Sequence, residues 1–208
     1  MNADLLSNID YDSQIFRVAK FKQEQFLRIS FSDCTFEQCS FEGMVFNRCK
    51  FRGCSFSKCN LNLIQLDGTS FSNTHFEDCT ILGVNWARAA WGKGEISSKF
   101  RSIDFIGCVL NYSSFATLDL PRTIFRKCIA RDVDFSEAML AKADLTFTDL
   151  TNSQFRHTDL SEADLTGAMN YSIQPQMNTL RKTRFSLPEA LSLLYNLDIE
   201  IVESEDGR

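Results

Sequence analysis

Large apolar residues recur along this chain at every fifth position, a spacing that fits neither a helix nor a strand. From Phe16 to Trp91 all sixteen positions of this count are large and apolar, and after a slip the count runs from Phe100 to Leu165. Seventeen of the nineteen phenylalanines fall on it. We call these positions centres. Their regularity predicts one structural unit repeated along almost the whole chain.

Small residues occupy a second fixed position, two residues before most of the centres. Every cysteine stands there, and alanine, serine or threonine fills many of the other small positions. The cysteines are Cys34, Cys39, Cys49, Cys54, Cys59, Cys79, Cys108 and Cys128. We expect the centre and the small position to share an interior, while the three remaining positions of each unit face water.

The period itself indicates how the chain is folded. A helix turns by about 100° per residue, so a period of five carries the apolar residue around it, and a strand would alternate it between two faces. The chain must instead turn once per unit, as in a solenoid. The segment "ADLTFTDLTNSQFRHTDLSEADLTG", residues 143–167, agrees with this, because an aspartate directly precedes four of its centres.

The cysteines could serve as metal ligands, as disulfides or as small core residues. Zinc sites need closely paired cysteines or converging histidines. Here every close cysteine spacing is five or ten residues, and His75 and His157 fall at outward positions. Parallel side chains and a reducing compartment disfavour disulfides. The pattern therefore predicts free thiols packed in the interior and no metal site.

The repeat is interrupted once and loses regularity at both ends. The slip within "WGKGEISSKF", residues 91–100, corresponds to four inserted residues, and its two glycines favour an exposed loop. Gln14 and Glu24 fall at small positions, so the first coil is expected to be irregular or open to solvent. Towards the C-terminal end the count passes through Asn170 and Pro175.

A helix is predicted near the C-terminus, with Ser186 as its N-cap, Pro188 in its first turn and Glu189 as the capping-box partner. Its leucine-rich stripe could cap a monomeric solenoid or join two protomers end to end. A short strand over residues 198–202 and an acidic tail follow. The predicted organisation is an N-terminal cap (1–13), coils (14–91), a projecting loop (92–97), further coils (98–185) and a C-terminal segment (186–208).

The charge balance limits the classes of partner that the protein could bind. The chain has 22 basic and 27 acidic residues and a net charge of -5, which argues against direct binding of nucleic acid. Residues 132–164 hold eight acids and two bases, whereas residues 14–93 hold seven acids and ten bases. The eight acids are Asp132, Asp134, Glu137, Asp144, Asp149, Asp159, Glu162 and Asp164. The negative field is thus expected on the C-terminal coils.

Localisation and catalysis are judged from what the sequence lacks. No 18 consecutive residues are apolar, and the opening segment has no apolar run of signal-peptide length, so we expect a cytoplasmic protein without a membrane partner. The sequence contains no GxSxG, P-loop or GxGxxG motif. An interior filled by side chains also leaves no pocket for a substrate. We predict no catalytic residue and no cofactor.

The units "ADLTF" and "ADLTG" resemble the A(D/N)LXX unit of the pentapeptide-repeat family. The resemblance covers nearly the whole chain and implies an all-β fold, a right-handed quadrilateral β-helix with four units per coil. Coils would then stack at about 4.8 Å, with residues twenty apart, such as Cys34 and Cys54, on top of each other.

Three segments narrow the resemblance to members that protect topoisomerases, the Qnr, MfpA and microcin-immunity types, and most closely the albicidin-resistance AlbG type. They are "ILGVNWARAAW" (81–91), "DLTNSQFRHTDLS" (149–161) and "RFSLPEALSLLYNLDIEI" (184–201). The resemblance implies a homodimeric acidic rod that imitates duplex DNA, binds DNA gyrase and protects it from a poison such as albicidin or a fluoroquinolone. Topoisomerase IV is a second candidate partner.

The resemblance also assigns roles to residues. AlbG-type members need one projecting loop for protection, whereas Qnr-type members of Gram-negative bacteria carry two, and this chain has one slip. The corresponding loop residues are Gly92, Lys93, Gly94, Glu95, Ile96 and Ser97. The implied dimer interface is Leu187, Ala190, Leu191, Leu194, Leu197, Ile199 and Ile201. The competing interpretation is a pentapeptide-repeat scaffold that binds an unrelated protein.

Overall fold

The computed structural model describes residues 2–3, 9–21, 24–91, 103–195, 197, 199 and 202. The chain forms a parallel-strand β-solenoid of about eight turns with one short C-terminal helix, which confirms the predicted fold class. No helix in the described part of the chain is long and apolar enough to cross a membrane.

The strands are short and separated by turns. They are β1 (Asn2–Ala3), β2 (Asp10–Asp12), β3 (Ile15–Arg17), β4 (Lys20–Phe21), β5 (Gln25–Leu27), β6 (Ser30–Ser32), β7 (Thr35–Glu37), β8 (Val45–Asn47), β9 (Lys50–Arg52), β10 (Ser55–Ser57), β11 (Ser70–Ser72), β12 (Thr74–Glu77), β13 (Ile103–Ile106), β14 (Phe125–Arg126), β15 (Asp164–Leu165) and β16 (Arg184–Phe185). The helical elements are the 3-10 turns Trp86–Arg88, Pro175–Met177 and Glu189–Leu191 and the helix α1 (Ser192–Tyr195).

Parallel pairing between successive coils gives the solenoid four sides. The largest ladder runs in the order β14-β13-β12-β10-β7-β3, and a second runs β11-β9-β6-β2. Paired residues such as Phe36 and Phe56 lie twenty positions apart, which is four units of five. We number the sides by their centres: side 1 contains Phe36, side 2 Phe41, side 3 Phe46 and side 4 Phe51.

Aromatic rings stacked along each side fill the interior. On side 1, Phe36 stacks on Phe56 with ring centroids 4.6 Å apart, and Phe56 stacks on Phe76 at 4.8 Å. Rings on adjacent sides meet edge to face, as Phe36 does with Phe41 at 5.5 Å. Both arrangements are favourable for aromatic pairs. The centres therefore form a continuous core, and the repeat buries its large residues as predicted.

The small positions satisfy backbone groups that the short strands leave unpaired. Cys54 donates its thiol to the carbonyl of Phe31, and Cys128 donates to the carbonyl of Phe105, each at 3.4 Å and 23 residues earlier. Thr69 makes the same contact at 2.8 Å with the carbonyl of Phe46. A small side chain with a donor group thus satisfies a buried backbone carbonyl. Leaving that carbonyl without a hydrogen bond would cost stability. All eight cysteines are buried and free, as predicted.

The thiols should be unreactive in the folded protein. Burial raises the pKa of Cys54 and of Cys128 to about 12, so neither is a thiolate near neutral pH. We expect Ellman's reagent to label none of the eight cysteines under native conditions and all eight in denaturant without reductant. Fewer than seven in denaturant would indicate a disulfide and contradict the assignment.

A left-handed residue at most corners allows the chain to turn. At most corners the residue two after a centre has a positive φ even where it is not glycine, as at Arg48 (53°) and Phe147 (58°). Gly167 follows Phe147 by one coil, and a Cβ there would lie 2.5 Å from the phenylalanine ring. Because Gly167 has no side chain, the exposed ring of Phe147 can lie against its backbone. The apolar pattern did not predict this backbone feature.

The predicted slip of four residues is wrong. Phe76 pairs with Phe105, 29 residues later, whereas coils elsewhere repeat at twenty, so the insertion is nine residues long. It falls between the centres Trp91 and Phe105. Phe100, predicted as a centre, lies outside the described residues, as does the start of the second set of coils predicted at residue 98. The count from Phe100 misled because the true insertion exceeds the predicted one by one whole unit of five, so that Phe100 and Phe105 mimic a continued repeat.

The ladder also begins and ends differently from the prediction. Asp10–Asp12 pairs with Ser30–Ser32, and Tyr11 stacks on Phe31 at 5.5 Å, so the coils start before residue 14. Gln14 and Glu24 are exposed, which agrees with an open first coil.

The last coil and the helix each depart from the predicted pattern in one respect. Asn170 is exposed, and Tyr171 and Ile173 are buried in place of the predicted centres. The predicted capping box is absent, because the 3-10 turn that precedes α1 has no side-chain cap. Ser186 instead accepts a hydrogen bond at 2.9 Å from the backbone N–H of Gly167. Its hydroxyl therefore ties the C-terminal segment to the last regular coil.

Candidate interaction surfaces

Half of the predicted acidic surface is neutralised by ion pairs between coils. Each of these acids contacts a base 18 to 20 residues away, one coil along the rod. The pairs are Arg126–Asp144, Arg131–Asp149, Lys142–Glu162 and Arg184–Asp164. Three of these bases lie outside residues 132–164, so the charge count over that window did not include them.

Asp149 is the most constrained of these acids. It is buried on side 2, and Arg131 donates to its carboxylate at 2.8 Å. Burial alone would raise its pKa, but hydrogen bonds from Thr151, Asn170 and Arg131 outweigh this effect and lower the pKa to about 2. The carboxylate is therefore ionised in the folded protein and acts as a structural acceptor for neighbouring coils.

The low pKa of Asp149 predicts a pH-dependent stability. A depressed folded-state pKa stabilises the fold above the ordinary value of 3.8, and this contribution is lost as the pH falls from about 4 to about 2. Because the partner Arg131 is half exposed, we expect a contribution of about 1–2 kcal/mol. Asp149→Asn should lower the free energy of unfolding by this amount at pH 6 and have little effect at pH 2. Glu137→Gln, at an exposed acid, is the control and should change neither; equal losses at both pH values would contradict the account.

The other four acids have no ion pair in the described part of the chain and lie on side 3, at its two corners and on the adjacent side 4. Asp132 is at one corner of side 3, Asp134 follows on the side itself, Glu137 lies at the opposite corner, and Asp159 lies on side 4 one coil further along. Asp134 and Asp159 each accept a backbone hydrogen bond at 2.9 Å, from Ser136 and Ser161. These four acids, which we call the open acids, are the part of the predicted surface that presents net negative charge.

One acid near this row was missed by the sequence window. Asp119 is exposed and pairs in register with Met139, which in turn pairs with Asp159. It therefore extends the row by two coils along side 4. The signal that finds it is spacing, since Asp119 and Asp159 differ by two periods of twenty.

The predicted contact loop, residues 92–97, lies outside the described residues. Trp91, the residue directly before this loop, is fixed by a hydrogen bond and lies next to the aromatic core. The indole N–H of Trp91 donates to the carbonyl of Trp86 at 2.7 Å, and Trp86 is fully buried among four aromatic rings. On the other side of the insertion, Asp104 accepts from His75 at 3.0 Å. The insertion thus joins two coils that are packed directly on each other.

The C-terminal segment leaves large apolar side chains exposed. Among the predicted interface residues, Leu187 is 76% exposed and Ile199 is 50% exposed, and the side chains of Leu191, Leu194 and Leu197 are also exposed. Ala190 is half-buried, and Ile201 lies outside the described residues. Leu193 packs against the core instead. Tyr195, which was not predicted, adds a ring that is 68% exposed.

A groove of about 300 Å³ separates this segment from the last coil. Tyr171 lines it, and burial raises the pKa of its phenol to about 12. The phenol oxygen is buried without a hydrogen-bond partner in the described part of the chain. The other lining residues are Asn170, Pro188, Glu189, Leu191, Ser192 and Tyr195. Exposed leucines beside an open groove form an apolar end surface.

The described residues show no arrangement of side chains that would hold a metal ion. They contain no group of three or more histidine, cysteine, aspartate or glutamate side chains that could hold a metal ion. His157 stands at an exposed corner, and His75 contacts Asp104. The surfaces described above are suited to contacts with a macromolecule.

Comparisons with known proteins identify the repeat. The family description "Pentapeptide repeat region" matches residues 29–97, and "Pentapeptide repeats (8 copies)" matches residues 128–167. Together these matches cover just over half of the chain. No curated protein matches it.

Solved structures of QnrB1, described as a plasmid-mediated fluoroquinolone resistance protein, are similar in fold. One trypsin-treated variant has a TM-score of 0.73 at 16% identity and covers 98% of this chain and 100% of its own. A second trypsin-treated variant has a TM-score of 0.60 at 15% identity, covering 93% and 100%. Full-length QnrB1 has a TM-score of 0.51 at 19% identity, covering 91% and 100%. At these identities the likeness concerns the fold.

Proposed function

The chain belongs to the pentapeptide-repeat family, and from this premise we propose that it is a non-enzymatic protein that binds DNA gyrase and protects it from a topoisomerase poison. The observation that carries the proposal is the row of open acids, Asp132, Asp134, Glu137 and Asp159, on a rod-shaped solenoid. The likeness to QnrB1 along nearly the whole chain supports it at the level of fold.

A DNA mimic must offer acids that a DNA-binding protein can reach. Duplex DNA carries one charge per about 1.7 Å of its axis, so a rod of eight coils falls far short of it with four open acids and Asp119. The ion-paired acids add little, since their charge is already compensated. Mimicry of DNA therefore rests on a few acids on sides 3 and 4 together with the shape of the rod.

Two further features support the proposal. The exposed leucines of the C-terminal segment suit a homodimer that would place two acidic halves next to each other, as the resemblance implies. The nine-residue insertion falls between Trp91 and Phe105, at the position that the resemblance assigns to the loop of AlbG-type members. Albicidin and fluoroquinolones are the poisons to test first, and topoisomerase IV is the second enzyme to test.

Competition with DNA tests the binding step directly. A labelled duplex bound to purified gyrase should be displaced by increasing amounts of this protein, because both would occupy the same basic surface. Displacement with saturable binding supports the proposal. Binding without displacement would show that another surface is used, and no binding at all would favour a scaffold with an unrelated partner.

Neutralising the open acids should weaken gyrase binding more than neutralising acids on the N-terminal coils. The variant Asp132→Asn, Asp134→Asn, Glu137→Gln, Asp159→Asn removes four uncompensated charges, and we expect at least a tenfold lower affinity, mainly through slower association. The matched control replaces four acids elsewhere on the rod that precede the insertion: Asp33→Asn, Glu37→Gln, Glu42→Gln and Glu77→Gln. Binding by competition with duplex DNA measures both. Equal losses of affinity would contradict a specific role of the open acids.

A further inference from the structure

One face of the N-terminal coils presents cations flanked by serines. On side 4, Lys50 pairs in register with Ser30 and Ser70, and Arg52 pairs with Ser32 and Ser72. The centres between them point inward and are buried, so the other residues of these strands point outward. Lys50 and Arg52 are exposed, and the four serines are half-buried. With strands about 4.8 Å apart, small hydroxyls border the two long cationic side chains on both sides.

Two arginines extend this face at its edge with side 3. Arg28 and Arg48 occupy left-handed corner positions one coil apart, and both are exposed. Arg48 lies against Gly68 of the next coil, where a Cβ would be 3.3 Å from the arginine Cγ. The missing side chain at Gly68 gives the arginine stem room beside the serine row. We call Arg28, Arg48, Lys50 and Arg52 with the four serines the cationic face.

The cations of this face are free of ion pairs within the described residues. Several arginines elsewhere on the rod are compensated, as Arg17 is by Glu37 at 2.7 Å and Arg88 is by Asp67. Acids limit the extent of the face. Asp10 and Asp12 lie one strand beyond the first serines, and Asp33 lies at the corner opposite Arg48. The uncompensated area is therefore about three strands wide.

We propose that the cationic face binds the sugar-phosphate backbone of duplex DNA. Arginine, lysine and serine are the side chains that donate to phosphate oxygens, and arginine does so in a bidentate manner. Binding of single strands would need exposed rings on which bases stack, but Phe31, Phe51 and Phe71 on this side are buried. The net charge of the chain argued against nucleic acid only because it averages this face with the acidic C-terminal coils.

The proposal goes beyond gyrase binding and does not depend on it. With three to four phosphate contacts, the logarithm of the binding constant should fall against the logarithm of salt concentration with a slope of about -3. Binding should be weak at physiological salt, because few phosphates are contacted and the acidic coils repel the duplex. A rod with one cationic and one acidic part could contact duplex DNA while its acidic part occupies a protein.

Fluorescence anisotropy with a labelled duplex of about 20 base pairs, without gyrase, tests the proposal. We expect saturable binding at low salt with this slope. Lys50→Ser with Arg52→Ser, which copies the neighbouring serine rows, should weaken binding at least tenfold and make the slope less steep by about 2. The control Lys58→Ser with Lys127→Ser removes the same charge from the corner between sides 1 and 2 and should have at most a twofold effect.

Three results would overturn the proposal. They are no duplex binding at low salt, equal losses in the two double variants, and binding of poly-L-glutamate without binding of the duplex. The last result would assign the face to an acidic protein. Far-UV circular dichroism of both variants establishes that each is folded before the comparison is made.

Discussion

Deletion of residues 93–101 is expected to leave the solenoid folded and to abolish protection of gyrase. The deletion removes the nine residues by which the pairing of Phe76 with Phe105 exceeds one coil. It joins Gly92 to Ser102, so that Phe105 becomes the fifth residue after Trp91, and the period of five is uninterrupted. Since solenoid units contact mainly their neighbours, restored register should preserve stability. Far-UV circular dichroism and thermal unfolding measure the fold, and poison-induced DNA cleavage by gyrase measures protection.

A control separates the length of the insertion from its side chains. Replacing residues 93–101 with nine glycine and serine residues keeps the length and removes the side chains, and we expect this variant to fold and to lose protection as well. Full protection by the deletion variant would show that the insertion is not required. Collapse of its circular dichroism signal would contradict the nine-residue register.

Phe76→Ala should cause the largest loss of stability, about 3–5 kcal/mol. The ring is buried at the coil next to the insertion, stacked between Phe56 at 4.8 Å and Phe105 at 5.2 Å. It also meets Trp86 edge to face at 5.8 Å. Removing it leaves a cavity among rings that cannot easily move, because each is held by its own stack. Urea unfolding followed by circular dichroism measures the loss.

The matched control is Phe147→Ala. Phe147 has the same side chain but lies at a corner and is 58% exposed, in contact with Gly167. We expect a change within about 0.5 kcal/mol. Similar losses for the two variants would contradict the assignment of Phe76 to the core and of Phe147 to the surface.

Much of the fold could be predicted from the sequence because the period of five recurs at residues of one type. Phe36, Phe56 and Phe76 stand at identical positions of the unit, and the structure stacks them. The insertion length could not be obtained this way. A slip of four and a slip of nine leave the same count from Phe105 onward, and only pairing between coils distinguishes them.

Local signals near the C-terminus were overridden by tertiary contacts. Ser186 has the right spacing from Glu189 for a capping box, but its hydroxyl accepts from Gly167 of the preceding coil. The count placed Asn170 inside, whereas Tyr171 is buried there. A large aromatic residue buries more apolar surface than an amide, so the chain leaves the strict period to bury it.

The location of the acidic surface could be predicted from the sequence, but which of its acids are ion-paired could not. The eight acids do lie on the C-terminal coils, but the sequence window treated them as equivalent. Asp144 and Asp149 contact Arg126 and Arg131, each 18 residues earlier, so their partners are recognised only when one coil is laid on the next. The same operation brings Asp119 into the row of open acids. Charge on a solenoid should therefore be counted by side and coil.

The central claim is tested most directly by poison-induced DNA cleavage and supercoiling by gyrase, measured across a titration of this protein with albicidin and a fluoroquinolone in parallel. The account predicts that cleavage by at least one poison falls as the protein is added, while supercoiling in the presence of that poison recovers. Unchanged cleavage and unchanged supercoiling with both poisons, at concentrations where the protein is folded, would contradict it.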